Sequence, residues 1–299
     1  MGEFLLLGPV SKDTIIRRNQ KTHSVGGAVY YQSKVLSGLG LNYKAAVTLA
    51  VEDKDILNFF PDKNSILPIF KEDTVKFENN YYDENPNHRF QRSNAPRIPI
   101  TNDDISNIFS KMNGKCNGIL LGPLLPSDIP LETVLNLSKK NIPLYLGLQG
   151  YLRQFDGCEI SLEPLSEIKK LLNLVDILFL DEKEARAVGN PDDNLSEIAR
   201  KLSLNGPNEV VITCGSRGSI IYSSEKRTAF KIIPYAPTKL NDPTGLGDTY
   251  MAAYISRKLM SNDPQDCGKF ASMVATIKLE SSEGFDKNWQ YIEKRLKID

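Results

Sequence analysis

The run Asn241-Asp242-Pro243-Thr244-Gly245-Leu246-Gly247-Asp248-Thr249-Tyr250 sets two glycines and a carboxylate at the mouth of a helical stretch, Thr249 to about Met260. Glycine permits tight turns and lets a ligand approach the main chain. The first amides of a helix lack internal partners, and the helix dipole adds partial positive charge there. Such a turn suits an anion, typically a phosphate. An acidic side chain beside an anion site is costly as a binder but useful as a base toward an attacking hydroxyl. Cradle and base together are the minimum equipment for moving a phosphoryl group onto an alcohol. The plainer alternative is an ordinary turn followed by an N-cap aspartate.

Four further groups of residues bear on that choice. Gly26-Gly27 precede a helical stretch that runs to Leu39-Gly40 and permit close contact with a small polar ligand, or simply form a turn. Asp13 lies just past the first apolar run, where open α/β sheets bind ligands. A carboxylate there can accept from two sugar hydroxyls; a solvated surface aspartate is the alternative. Asp181-Glu182-Lys183-Glu184 follow another apolar run. They read either as a solvated first helical turn or as acids that organise magnesium and its waters. Thr213-Cys214-Gly215-Ser216-Arg217-Gly218 closes a strand with a glycine turn suited to a nucleotide's phosphates or ribose, a pattern also common in plain turns.

These residues need a scaffold. Short apolar runs at Phe4 to Leu7, Ala45 to Val51, Gly118 to Leu121, Leu144 to Leu148, Ile177 to Leu180, Val210 to Thr213 and Ser219 to Tyr222 read as buried strands. Between them Leu131 to Lys140, Leu165 to Leu174 and Leu195 to Leu204 carry apolar residues at helical spacing. Alternating strands and helices predict a doubly wound, mostly parallel α/β sheet. Residues 73–100 break the rhythm: Phe77, Tyr81 and Phe90 flank a Pro-Asn turn and predict a β-hairpin. With the polar segment 11–24 this predicts a small discontinuous β lid on a single α/β domain spanning 1–299, two ordinary surface loops being the alternative.

The chain has 299 residues, of which 40% are hydrophobic, enough for a sizeable core. Lys plus Arg number 37 and Asp plus Glu 37, so no basic excess calls for nucleic acid and no charge block for a membrane surface. The four cysteines form no Cys-x-x-Cys pair, and His23 and His88 have no partners at metal-ligand spacing. Reduced thiols and the lack of a signal peptide or long apolar run predict a cytoplasmic protein.

The motifs, taken in order, resemble the ribokinase-like (PfkB) family of sugar and nucleoside kinases. That family's Asp-Thr-x-Gly-Ala-Gly-Asp signature stands here as Asp242-Pro243-Thr244-Gly245-Leu246-Gly247-Asp248. The resemblance continues in Gly26-Gly27, in Asp181-Glu182-Lys183-Glu184 against the family's Asn-x-x-Glu, in Thr213 to Gly218, and in Leu148-Gln149-Gly150-Tyr151-Leu152-Arg153. It implies a Rossmann-like core with a β lid, ATP as donor and Mg2+ as helper. It implies Asp248 as base and Gly245, Leu246 and Gly247 as the anion hole. It puts Asp13, Gly26 and Gly27 at the acceptor, Thr213, Gly215 and Gly218 near the nucleotide, and Glu184 near the metal, through water. The departures are Tyr30-Tyr31 where many members place Asn, Asp181 for Asn, Gly147 in the segment before Gln149, and Leu246 for Ala.

A sugar or inositol-like polyol is the first expectation for the acceptor and a nucleoside the second. The paired tyrosines could stack on a base or sugar, or be helix core. Arg89, Arg92 and Arg97 leave a phosphosugar open. A non-catalytic binding or regulatory member is the contrasting class, and a homodimer through the lid is compatible with exposed lid strands.

Overall fold

The computed structural model describes residues 2–17, 20–81, 89–112, 114–157, 159–163, 165–282 and 284–298. The chain opens with β1 (Glu3–Pro9), β2 (Ser11–Arg17), β3 (Gln20–Gly26), α1 (Ala28–Gly38) and β4 (Tyr43–Ala50). There follow β5 (Ile66–Lys71), β6 (Val75–Tyr81), β7 (Arg89–Ser93), α2 (Asn102–Ser110), β8 (Cys116–Leu121), α3 (Leu131–Ser138) and β9 (Leu144–Gly147). The middle comprises α4 (Gln149–Leu152), β10 (Arg153–Asp156), β11 (Glu159–Leu162), α5 (Ile168–Leu172), β12 (Ile177–Asp181), α6 (Glu182–Val188) and α7 (Leu195–Ser203). The last elements are β13 (Glu209–Thr213), β14 (Ser219–Ser223), β15 (Thr228–Ile232), α8 (Leu246–Lys258), α9 (Pro264–Glu280) and α10 (Trp289–Ile298).

Nine strands make the main sheet, in the order β15-β14-β13-β12-β9-β8-β1-β4-β5. From β5 to β13 neighbours run parallel, and β14 and β15 add an antiparallel edge. The continuous apolar runs are explained by burial on both faces. Phe4 and Leu6 of β1 join a core with α1, α8 and α9, whereas Leu5 and Leu7 join a second core with α2, α3 and α7. Helix α8 shows little amphipathic pattern because it is covered nearly all round: Thr249 to Ser256 are buried.

A smaller sheet runs β10-β11-β7-β6-β2-β3. Its β6 and β7 pair antiparallel with Phe77 opposite Ser93 and Tyr81 opposite Arg89; the expected Pro-Asn turn between them lies outside the described residues. Residues 153–162 also contribute β10 and β11, beyond the segments 11–24 and 73–100. That piece is short: its two strands pair with each other, and β11 docks on β7 with Glu159 opposite Arg92. The smaller sheet has a core of its own, Val75, Phe77, Ile98, Leu124 and Leu125.

Two boundaries depart from expectation. Asp13 does not sit in a loop after β1 but inside β2, paired with Ser24 and Phe77, because Val10 alone separates the two strands. The helix expected from Thr249 begins at Leu246, since Gly245 adopts φ 73° and turns the chain directly into α8. Among the described residues no helix is long and apolar enough to cross a membrane.

Candidate active site

In the parallel part of the sheet the strands deliver their carboxyl ends to one edge, and the candidate residues gather there. Gly27 at φ 105° ends β3 and starts α1; a Cβ at that position would lie 2.6 Å from the Pro9 carbonyl. Gly26 abuts Asp13, whose carboxylate would be 2.4 Å from a Gly26 Cβ. Asp13 is 8% exposed and accepts from Ser11 Oγ at 2.7 Å. This places Asp13, Gly26 and Gly27 together beside the first turn of α1.

That turn touches the anion turn. The Tyr31 ring lies where a Gly245 Cβ would fall, 2.3 Å away. Burial raises the Tyr31 phenol far above its usual range, and Asp242, Asp13 and Asp248 push it further. The carboxylates from both ends of the sequence therefore converge on one tyrosine.

Gly245 enters α8 in the left-handed region, and no side chain caps the helix. Leu246 N–H donates to Pro243 O at 3.3 Å, and Thr249 N–H is the first to reach back to Gly245 O, at 2.9 Å. The Gly247 and Asp248 amides meet no acceptor among the described residues, the arrangement an anion needs. The Asp242 carboxylate is occupied inside the turn, accepting from Thr244 N and Oγ1. Asp248 is different. It is a half-buried residue whose carboxylate has no hydrogen-bond partner among the described residues. Burial pushes it up to about 6, against the opposing charges of Arg153 and Lys278.

On the other side, Asp181 and Thr213 are register partners at the ends of β12 and β13. Asp181 caps α6 through Glu184 N, and Glu184 Oε2 accepts from Asp181 N. Glu184 Oε1 accepts from Gln149 Nε2 at 3.1 Å. Burial, followed by Asp181, drives the Glu184 carboxyl well above its ordinary range. Both of its oxygens are already engaged, which suits a water-mediated role better than a direct bond to a metal. Beyond Thr213, Gly215 sits exposed at φ 55° with open space around it. Gly218 serves the hairpin: its φ is 86°, and a Cβ there would strike Ile232 O.

Two charged side chains enter the site that sequence reasoning gave no role. Arg153, 4% exposed, donates to Leu124 O at 2.8 Å and to Gln149 Oε1 at 2.9 Å, and stacks on Phe77 at 4.7 Å. Its segment, Leu148 to Arg153, carried a signal. Lys278, 3% exposed, donates to Asp242 O at 2.7 Å and Thr244 O at 2.5 Å. Nothing in its neighbours Ile277 and Leu279 announced it. A cavity of about 550 Å³ opens elsewhere, at the amino-terminal edge among Glu3, Asn42, Tyr43 and Asp62, and holds none of these residues.

Residues 152–289, which include the anion turn and Asp248, match the pfkB family of carbohydrate kinases. The whole chain matches the solved structure of a pyrophosphate-dependent kinase in the ribokinase family, complexed with a pyrophosphate analogue and myo-inositol. That match has TM-score 0.81 and 21% identity, and covers 98% of this chain and 99% of the other. This chain has the ribokinase-like fold. Ribokinase from Arabidopsis thaliana, solved with ribose and ATP, shares the fold at TM-score 0.75 and 16% identity over 100% of both chains. A nucleoside kinase of Methanothermobacter thermautotrophicus is 34% identical over 147 residues, 46% of this chain and 43% of that protein. There the chain spans less than half the length of the curated relative it matches. The segment that matches the family and the geometry of the turn fall on the same residues.

Proposed function

We propose that this protein transfers the γ-phosphoryl group of ATP to a hydroxyl of a small sugar or polyol. The observation that carries this reading is the Asp248 carboxylate: desolvated, without a hydrogen-bond partner among the described residues, and two residues into a helix whose leading amides are open. Asp248 takes the hydroxyl proton as the oxygen attacks the γ-phosphorus, and the leaving bond to the β-phosphate breaks in line. The Gly245–Asp248 turn offers the Gly247 and Asp248 amides to the charge on the migrating group. Asp13, beside Gly26 and Gly27, accepts from the other hydroxyls and fixes which one faces Asp248. Thr213 and Gly215 border the nucleotide, with Gly218 shaping their hairpin.

Among the described residues no group of three or more His, Cys, Asp or Glu could cage a metal. Glu184 would hold Mg2+ through water, since both of its oxygens are engaged and magnesium retains several waters in such sites. When bound, the ion supplies charge neutralisation at the phosphates. The smaller sheet, joined to the site through Arg153 and Phe77, acts as a lid that keeps water from competing with the acceptor.

A nucleoside acceptor is the second reading, favoured by the identity to a nucleoside kinase. The tyrosines argue for the polyol. Tyr31 is packed on Gly245, and Tyr30 meets Phe60 edge-on at 5.4 Å, so neither ring is free to stack on a base.

The test is a panel of sugars, inositols and nucleosides with ATP or pyrophosphate as donor, scored by phosphorylated product. Product from a sugar or polyol with ATP is the expected result, and Asp248→Asn should lose about 100- to 10,000-fold in turnover while still binding ATP. Ligand binding with no product from any pair would make this a non-catalytic member. Near-normal turnover by Asp248→Asn would remove the base from the mechanism.

A further inference from the structure

Resting on the phosphoryl-transfer reading, we propose that Lys278 is a positioning residue: its buried ammonium grips the carbonyls of the anion turn and holds the turn's amides and Asp248 in their working arrangement. Lys278 sits in the last turn of α9, a helix far from the motif in sequence. Its Nζ donates to the Asp242 and Thr244 carbonyls, which flank Pro243, and lies 5.5 Å from the centroid of the Tyr31 ring. The end of the same helix takes two more bonds from the turn's approach: Asn241 N–H to Leu279 O at 3.0 Å, and Asn241 Nδ2 to Glu280 O at 2.7 Å. The turn is thus held below by α9 and on its flank by Tyr31 against Gly245.

An ammonium is an unusual choice for this task. Burying one is costly unless acceptors compensate, and burial lowers its proton affinity here. A lysine only filling space could be replaced by an apolar residue of its length at little loss. A lysine setting the geometry and field of the site could not. Carbonyls drawn toward a cation point away from the cleft, and the peptide planes they belong to then fix where Gly245 and α8 begin. The same charge favours the ionised form of Asp248.

The groups facing Lys278 are Asp242 and Asp248, the ammonium of Lys34, and the Tyr31 ring. Those facing Asp248 are Arg153, Lys278 and the Tyr31 phenol. Removing Lys278 subtracts one of two cations that hold the Asp248 proton affinity down. The acid limb of the rate should therefore move to higher pH.

The experiment compares the full-length wild type with Lys278→Met and Lys278→Gln, using the acceptor found above and ATP. Product formation by the wild type is scored first, since its absence overturns the kinase reading and this proposal with it. With an active wild type, the expected result for both variants is a 10- to 1,000-fold fall in kcat with acceptor KM within about threefold, and an acid limb displaced upward. A Lys278→Ala chain should regain part of its turnover on addition of ethylammonium. A variant that keeps kcat within twofold and an unmoved acid limb overturns the proposal alone, whatever its melting temperature. If Lys278→Met fails to fold, Lys278→Gln, which keeps a donor without the charge, gives the same reading.

Discussion

At the scale of single residues, the site is a problem of unpaired charge. A carboxylate raised to about 6 in the fold and near 4 when unfolded has a signed consequence for stability. The folded chain holds the Asp248 proton more tightly, so stability falls as pH rises from about 4 to about 6 and the deficit persists above. Asp248→Asn should be more stable than the wild type at pH 8, by up to about 2 kcal/mol, and no more stable at pH 4. Urea unfolding at the two pH values checks this. The wild-type kcat/KM should fall tenfold per pH unit below about 6, since only the ionised group can take a proton. A profile flat to pH 4.5 would mean that Asp248 is not the base. Asp248 and Glu184 were visible in the sequence because a motif frames each. Arg153 and Lys278 were not assigned roles, because what matters about them is burial. A lysine in the last helical turn, beside Ile277 and Leu279, reads as a surface residue matched to the helix dipole until α9 is packed under the turn.

At the scale of elements, the decisive joint is between α1 and the start of α8. Gly245 has two reasons to be glycine: a φ of 73°, and the Tyr31 ring on its Cα. Gly245→Ala should lose at least about 2 kcal/mol, from left-handed strain plus overpacking, together with most turnover. Tyr31→Ala in the same chain clears the space but not the strain. The double variant should therefore lose less than the sum of the single losses, by roughly 1 kcal/mol. Simple additivity in urea titrations would show that the two do not press on each other. The parallel strands were legible because burial on both faces leaves an apolar run in the sequence. β10 and β11 were not: Arg153 to Leu162 is short, with only Phe155 and Ile160 of its described residues turned to the small core, and its two strands form by pairing with each other, β11 then meeting β7. The Tyr30-Tyr31 pair left core and stacking roles open, and only the neighbours Phe60 and Gly245 decide between them.

At the scale of the molecule, two sheets with separate cores are joined at several points, among them one loop and one arginine. Leu124 and Leu125, just after β8, belong to the smaller sheet's core, while the Asp128 carboxylate holds their amides at 2.8 and 2.7 Å. Arg153 spans the junction, with its guanidinium on the Phe77 ring and its donors on Leu124 O and Gln149. Phe77 is thus both the centre of the small core and the wall that keeps Arg153 in place. Phe77→Ala removes a ring whose loss in a large core would cost about 3 to 5 kcal/mol. Here the loss should fall on the smaller sheet, which is expected to open before the larger one. Amide exchange should accelerate in β2 and β6 and stay slow in β1, β8 and β9. The melting temperature should move by only a few degrees, while turnover drops as Arg153 loses its wall. Hydrogen-exchange mass spectrometry reads both sheets in one experiment. If protection falls equally in β1 and β6, the two sheets unfold as one body, and the smaller one cannot open over the site while the larger stays folded.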